Sequence, residues 1–202
     1  KKISSKITDD ASLFDNYSNR VKMIKGEEKN IKITTKNDIK ENLKYYFGIG
    51  FDVHRLVKNK KLYLGGLKIN SKFGTLGHSD GDPVLHAITD SILGACRKGD
   101  IGQKFSDQDI KFKNIRSTIL LQQVIDKIKA KGYFINNIDI NIITQTPKIK
   151  NIKNKMINNI SKLCEIPKNQ INIKGKTAEK LGLIGKEKAI ACETICSVIK
   201  YD

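Results

Sequence analysis

The chain has 202 residues and no tryptophan, and its aromatic residues amount to only 6%. Surfaces that grip single-stranded nucleic acid interleave basic side chains with stacking rings, and no stretch here does so. Proline occurs only at Pro83, Pro147 and Pro167, each reading as the boundary of a regular element. No apolar run approaches the ~20 residues of a membrane helix, so no membrane partner is expected. Cysteine is limited to Cys96, Cys164, Cys192 and Cys196, without a Cys-x-x-Cys pair or a compact disulfide framework. These four read as buried thiols rather than bridges or ligands. No internal repeat is visible.

What the chain does have is positive charge: 38 basic against 21 acidic residues, a formal net charge of +17. Alone, that suggests a nucleic-acid or phosphate partner. The excess is nearly all lysine, scattered and accompanied by abundant Asn and Ile. A solvated surface is the better reading, with no nucleic-acid partner. Hydrophobic residues at 39% suffice for one core and a tail. Residues 1–44 carry few large apolar groups and cannot offset their ordering entropy. They are expected to form a disordered or loosely attached leader, with a folded domain over 45–202. The start at Lys1 rather than Met suggests that something upstream has been removed.

From Tyr45 to Phe51 the pattern predicts a strand, continued by Asp52 and His54 on one face. Leu62 to Ile69 around Gly65-Gly66 predicts a hairpin, and Gly74 to Gly81 a loop. Asp82-Pro83 opens a helix that runs to about Cys96. A loop over Gly99–Asp109 precedes a second helix, Ser117 to Lys131, ended by Gly132. Phe134 to Gln145 is strand-like, with Ile138, Ile140 and Ile142 alternating against polar neighbours. A third helix covers Ile149 to Cys164, and Gln170 to Lys174 is a strand. After a Thr177–Gly185 loop, Ala189 to Ile199 is the last strand, with Ala191, Glu193 and Ile195 on one side. The order implies an α+β fold, a mixed β-sheet with helices packed on one face.

All three histidines fall between Gly50 and Asp90: His54, His78 and His86, together with Asp52, Asp80, Asp82 and Asp90. Asp52-x-His54 on a strand projects both side chains into one space. A helix packed over that strand can add His86, giving the nitrogen-and-oxygen donor set of an open zinc site. Singly, each histidine reads as an ordinary hydrogen-bonded residue. Together, with Asp52 placed between two glycine-flanked turns, they favour a metal site. His78 and Ser79 lie in the loop before the helix, whose backbone donors can receive a phosphate. An ordinary polar turn, with Asp82 capping the helix, is compatible with the same residues.

Four motifs go further: Gly-x-Gly-Phe-Asp-Val-His (48–54), Gly-His-Ser-Asp-Gly-Asp-x-x-x-His-Ala-x-x-Asp (77–90), Gly-Asp-Ile-Gly-x-x-Phe (99–105) and Thr-x-Glu-Lys-Leu-Gly (177–182). In that order they resemble the 2-C-methyl-D-erythritol 2,4-cyclodiphosphate synthase family, over about Phe47 to Lys200. The resemblance implies a homotrimer with active sites between subunits. Its reaction is attack by the substrate's own 2-phosphate on its β-phosphorus, with CMP leaving. It implies Asp52, His54 and His86 as zinc ligands, and Glu179 as holder of a second divalent ion, Mg or Mn. His78 and Thr177 match the transition-state stabilisers.

The resemblance also implies substrate contacts from Asp52, Val53, His54, His78, Ser79, Asp100, Ile101 and Gly102. The adjoining flexible loop, Phe105, Ser106, Asp107, Gln108 and Asp109, and Lys186 complete that set. For the nucleotide it implies Thr144, Gln145, Thr146, Pro147, Lys148, Ile149 and Lys150, with Lys176, Thr177, Ala178, Glu179 and Leu183. Ala178, Leu183 and Lys186 depart from the family's usual threonine, Phe and Arg. A zinc-dependent phosphohydrolase acting on a nucleotide-linked substrate is the alternative, although it leaves the nucleotide motif unexplained. The Asn/Lys/Ile-rich composition and polar leader suggest a plastid of the apicoplast type, with a bacterial cytoplasm as the alternative.

Overall fold

A computed structural model describes residue 25 and residues 43–106 and 108–201. The expected leader lies outside the described residues, save Lys25 and the start of the first strand, and so does Asp107. That strand, β1 (Leu43–Lys58), alternates with period two. Tyr46, Gly48, Gly50, Asp52, His54 and Leu56 share one face, and Tyr45, Phe47, Ile49, Phe51 and Val53 the other.

Two short strands, β2 (Leu62–Leu64) and β3 (Leu67–Ile69), form the expected hairpin. Asp82 pins its turn: the carboxylate accepts from Gly65 N–H at 3.0 Å and Gly66 N–H at 2.6 Å. It also caps the following helix, α1 (Pro83–Ala95), by accepting from Val84 and Leu85. Strand β4 (Phe73–Leu76) pairs antiparallel with the end of β1. This corrects the expected 74–81 loop. Gly74 is needed there because a Cβ would come within 2.3 Å of the Lys60 backbone. The glycine that reads as a loop residue is therefore one of close approach.

The chain continues through α2 (Ile101–Lys104), α3 (Ser117–Lys129), β5 (Tyr133–Ile143), α4 (Lys153–Cys164), β6 (Ile171–Lys176), α5 (Gly182–Gly185) and β7 (Ala189–Tyr201). The third predicted helix is split: Ile149–Asn151 forms a 3-10 turn before α4. Sheet order is β4-β1-β7-β5-β6. Only β5 and β6 pair in parallel, so the sheet is mixed. Ile138, Ile140 and Ile142 of β5, with Ile190, Cys192, Cys196 and Val198 of β7, meet Val84, Leu85, Ile88, Ile92, Leu121, Ile125, Met156 and Ile160 in one buried core. The α+β architecture with helices on one face follows.

Helix α1 lies against β1 backbone to backbone. A Cβ on Gly48 would sit 2.0 Å from the Ser91 carbonyl oxygen, and one on Gly50 2.0 Å from that of Ala87. The motif Gly-x-Gly-Phe-Asp-Val-His therefore does not place Asp52 between turns. Asp52 is mid-strand, and the two glycines let the helix carrying His86 descend onto it.

Candidate metal centre

Asp52 and His54 project from the helix-facing side of β1, and His86 stands in the first turns of α1 above them. Asp52 Oδ2 lies 2.9 Å from both His54 Nε2 and His86 Nδ1, and the two ring nitrogens are 3.3 Å apart. One ligand atom from each of these three residues falls within a 4.8 Å span. The opposite ring nitrogens are held by the fold. His54 Nδ1 donates to the Leu76 carbonyl at 3.0 Å, which turns Nε2 toward the cluster. His86 Nε2 meets Ser117 Oγ at 2.9 Å and Ser79 Oγ at 3.1 Å.

Burial alone would raise the Asp52 carboxyl, but hydrogen bonds from His54 and His86 outweigh it and hold the group well below the usual carboxylate range. Burial opposes charge on His54, and the bond to Asp52 overrides it and raises His54 above its ordinary value. A carboxylate oxygen and two imidazole nitrogens converging from rigid elements match the donor set of a divalent transition metal such as zinc, with one position left open. The residues present fit such an ion.

The cluster opens onto a cavity of about 190 Å³ lined by Asp52, His78, Ser79, His86, Ile101, Gly102 and Phe105. His78 Nε2 is buried beside it without a hydrogen-bond partner. A buried polar atom left so is costly unless something else meets it. Asp90, one turn beyond His86, accepts from Ile101 N–H at 2.7 Å and ties this loop to α1. Asp100 caps α2 by accepting from Gln103 N–H.

The remaining expected residues lie apart from this cavity. Thr144, Pro147, Lys148, Ile149, Lys150, Lys176 and Thr177 line a separate cleft of about 430 Å³. Gln145, Thr146 and Lys186 border a third concavity, where Thr146 Oγ1 donates to Glu187 at 2.5 Å. Glu179 is exposed, accepts from Thr177 Oγ1, and stands outside the three-residue cluster; Leu183 is exposed and Ala178 half-buried. Val53 belongs to the opposite face of β1 from its neighbours Asp52 and His54. Ser106, Gln108 and Asp109 form a turn, with Asp109 paired to Lys111.

Sequence reasoning missed Phe112, Ile115 and Leu120, which form the apolar wall of the 190 Å³ cavity. It also missed Ser117. Isolated apolar residues and a helix-opening serine carry no local signal; only tertiary packing, of α3 and of the segment before it, brings them to the cavity beside His86.

Fold and cluster together define an α+β protein with an imidazole–carboxylate cluster, built between a strand and a helix, that could hold a metal ion. A model of the YgbB family matches residues 45–199, and the chain belongs to that family. The "Bifunctional enzyme IspD/IspF" of Pelagibacter ubique (strain HTCC1062) is 67% identical over 199 residues, covering 98% of this chain and 54% of the relative. The protein of the same name from Campylobacter curvus (strain 525.92) is 41% identical over 202 residues, 96% of this chain and 54% of the relative. The chain thus spans about half the length of the curated relatives it matches.

Among solved structures, "Structure of the Bifunctional IspDF from Campylobacter jejuni" aligns with a TM-score of 0.76 at 37% identity, covering 98% of this chain and 55% of that one. "IspF (Plasmodium falciparum) CDP complex" aligns with a TM-score of 0.69 at 43% identity, covering 78% of this chain and 97% of that one. These curated relatives are bacterial, and they give no support to a plastid location. Among the described residues no helix is long and apolar enough to cross a membrane.

Proposed function

We propose that this chain cyclises 4-diphosphocytidyl-2-C-methyl-D-erythritol 2-phosphate to 2-C-methyl-D-erythritol 2,4-cyclodiphosphate and releases CMP. The carrying observation is the Asp52, His54 and His86 cluster opening beside His78 and Ser79 in a chain of the YgbB family. Further support comes from related structures whose titles name the cyclodiphosphate synthase and CDP. In the reaction an oxygen of the 2-phosphate forms a bond to the β-phosphorus. The bond from that phosphorus to the oxygen shared with the α-phosphate breaks, and CMP leaves with the electron pair.

Asp52, His54 and His86 hold zinc, which when bound supplies Lewis-acid polarisation of a phosphate oxygen. His78 offers its unpartnered nitrogen to charge developing at phosphorus, and Ser79 orients a neighbouring oxygen. Asp100, Ile101 and Gly102 hold the hydroxyls of the methylerythritol unit. Phe105 excludes water at the cavity wall, and Ser106, Asp107, Gln108 and Asp109 after it contact the substrate. The cleft bounded by Thr144 to Lys150 and by Lys176 and Thr177 takes the cytidine. Thr177 donates to a phosphate oxygen, and Glu179 holds a second divalent ion, Mg or Mn. Lys186 meets a phosphate as a point charge rather than a bidentate fork.

The cleft and the metal cavity are separate within one chain. We place the complete site between subunits of a homotrimer, which the exposed apolar face of β1 supports. The bacterial origin of the relatives favours a bacterial cytoplasm over a plastid. The phosphohydrolase alternative is not favoured, since the relatives' titles name a synthase. The test is CMP release, followed chromatographically, from the diphosphocytidyl substrate in the presence of Mg. The reading expects turnover that falls at least about 10³-fold in His86→Ala and is abolished by chelation. No CMP from zinc-loaded wild-type protein would overturn it.

A further inference from the structure

We propose that Ser117, held by Asp80 and Arg116, is a positioning residue that accepts from His86 Nε2–H and so holds the His86 ring with Nδ1 aimed at the metal. The proposal rests on the metal-centre reading above and extends it to residues outside the ligand set.

Each link of the chain behind His86 has only one direction. Arg116 carries donors and no acceptor. Its Nε donates to Asp80 Oδ2 at 2.7 Å, its terminal nitrogen donates to the Gly66 carbonyl at 2.9 Å, and its guanidinium lies 4.3 Å over the Tyr63 ring. The guanidinium is thus anchored on three sides. Asp80, whose side chain is 4% exposed, accepts on its other oxygen from both the N–H and the hydroxyl of Ser117. Ser117 is buried and has a single hydroxyl proton, committed to that carboxylate.

What remains on Ser117 Oγ is acceptor capacity, and it faces His86 Nε2 at 2.9 Å. The bond is satisfied only when Nε2 carries the proton. On the other side of the ring Nδ1 faces Asp52 Oδ2 at 2.9 Å, so a metal that takes Nδ1 and Asp52 would leave the single ring proton on Nε2, where Ser117 accepts it. Ser79 Oγ, at 3.1 Å, already accepts from Gly81 N–H and its hydroxyl rotates, so it sets no direction. The loop carrying Asp80 is stitched to α3 by two backbone bonds, Asp80 N–H to the Ile115 carbonyl at 3.0 Å and Asn114 N–H to the His78 carbonyl at 2.9 Å. The relay is therefore built into rigid backbone, as partners behind metal-binding histidines are. It is the counterpart of the Leu76 carbonyl behind His54.

The experiment uses ¹⁵N-labelled protein loaded with zinc. Two-bond ¹H–¹⁵N spectra identify the ring nitrogens of the three histidines. The His86 Nε2–H proton is expected to exchange slowly with water in the wild type and much faster in Ser117→Ala. Zinc affinity, measured by competition with a chromogenic chelator, should fall about 10- to 100-fold in Ser117→Ala while the thermal midpoint confirms folding. If that variant does not fold, Arg116→Gln, at a half-exposed position, should weaken zinc several-fold. A His86 Nε2–H proton that exchanges equally fast in wild type and Ser117→Ala, or zinc affinity within twofold of wild type in the folded variants, overturns the relay. Failure of the wild type to take up zinc would instead sink the metal-centre reading, and the relay with it.

Discussion

Asp82 is wholly buried, and its carboxylate accepts four backbone N–H groups, from Gly65, Gly66, Val84 and Leu85. Burial pushes its pKa up, against the pull of those donors. Asp82→Ala removes a helix cap and strands two hairpin donors. It should cost about 3 kcal/mol or more in urea unfolding at pH 7. The capping role was legible in Asp-Pro before an apolar run, but the clamp on Gly65 and Gly66 was not, because nothing local in sequence connects residues 16 and 17 positions apart.

The cysteines give a pH test at the same scale. Burial pushes Cys96 and Cys196 up to about 11 and Cys164 up to about 12, and Cys192 higher still. Folded thiols that hold protons more tightly than unfolded ones contribute stability fully present below the unfolded value near 9.0. That stability is lost as pH rises through the folded values. Native protein should resist alkylation at pH 8 and show all four thiols after unfolding. Its urea midpoint should drop as pH climbs past about 9, and less so in Cys164→Ala relative to that variant's own midpoint at pH 7. Rapid native alkylation would contradict the burial. Here the sequence reading of buried thiols holds.

Among the elements, the contact of α1 with β1 sets the metal geometry. Gly50→Ala would drive a methyl into the Ala87 carbonyl at 2.0 Å, so the helix must lift and carry His86 away from Asp52. We expect a loss of about 3 kcal/mol and weakened zinc uptake by chelator competition. Gly94→Ala on the same helix is the control. Its Cβ would meet nothing closer than 3.7 Å, and alanine's helix propensity favours it by about 0.5–1 kcal/mol. Equal behaviour of the two variants would contradict the account. The helices and most strands were legible from period and caps. Strand β4 was not, since Gly74 and Thr75 stand in a glycine-rich run and become a strand only by pairing with Val57 and Leu56. The length of β1 was likewise set by its partner β7 rather than by its own residues.

Across the whole molecule, the outer face of the sheet is apolar and uncovered. Phe47 is 71% exposed, Ile49 63% and Phe51 57%, with Val53 and Ile195 beside them. A contiguous patch of this kind marks an interface. The homotrimer reading predicts a solution mass near three times 22.7 kDa. Phe47→Lys should dissociate it and cut turnover, as read by sedimentation velocity. A monomeric, fully active wild type would contradict it. In sequence, the face of β1 with Tyr45, Phe47, Ile49, Phe51 and Val53 is apolar, which signals burial without saying what covers it. The Asp52, His54 and His86 cluster was legible because two share a strand face and the third follows a capped helix start. Ser117 was not, because it reaches His86 only through tertiary packing.

The most direct measurement identifies the phosphorus product. Substrate incubated with zinc-loaded protein and Mg would be followed by ³¹P NMR. The account predicts equimolar CMP and cyclic diphosphate, with no phosphate monoester arising from the released fragment. CMP accompanied by an open-chain bisphosphate would mean that water, not the 2-phosphate, attacks, and would contradict the cyclisation at the centre of this account.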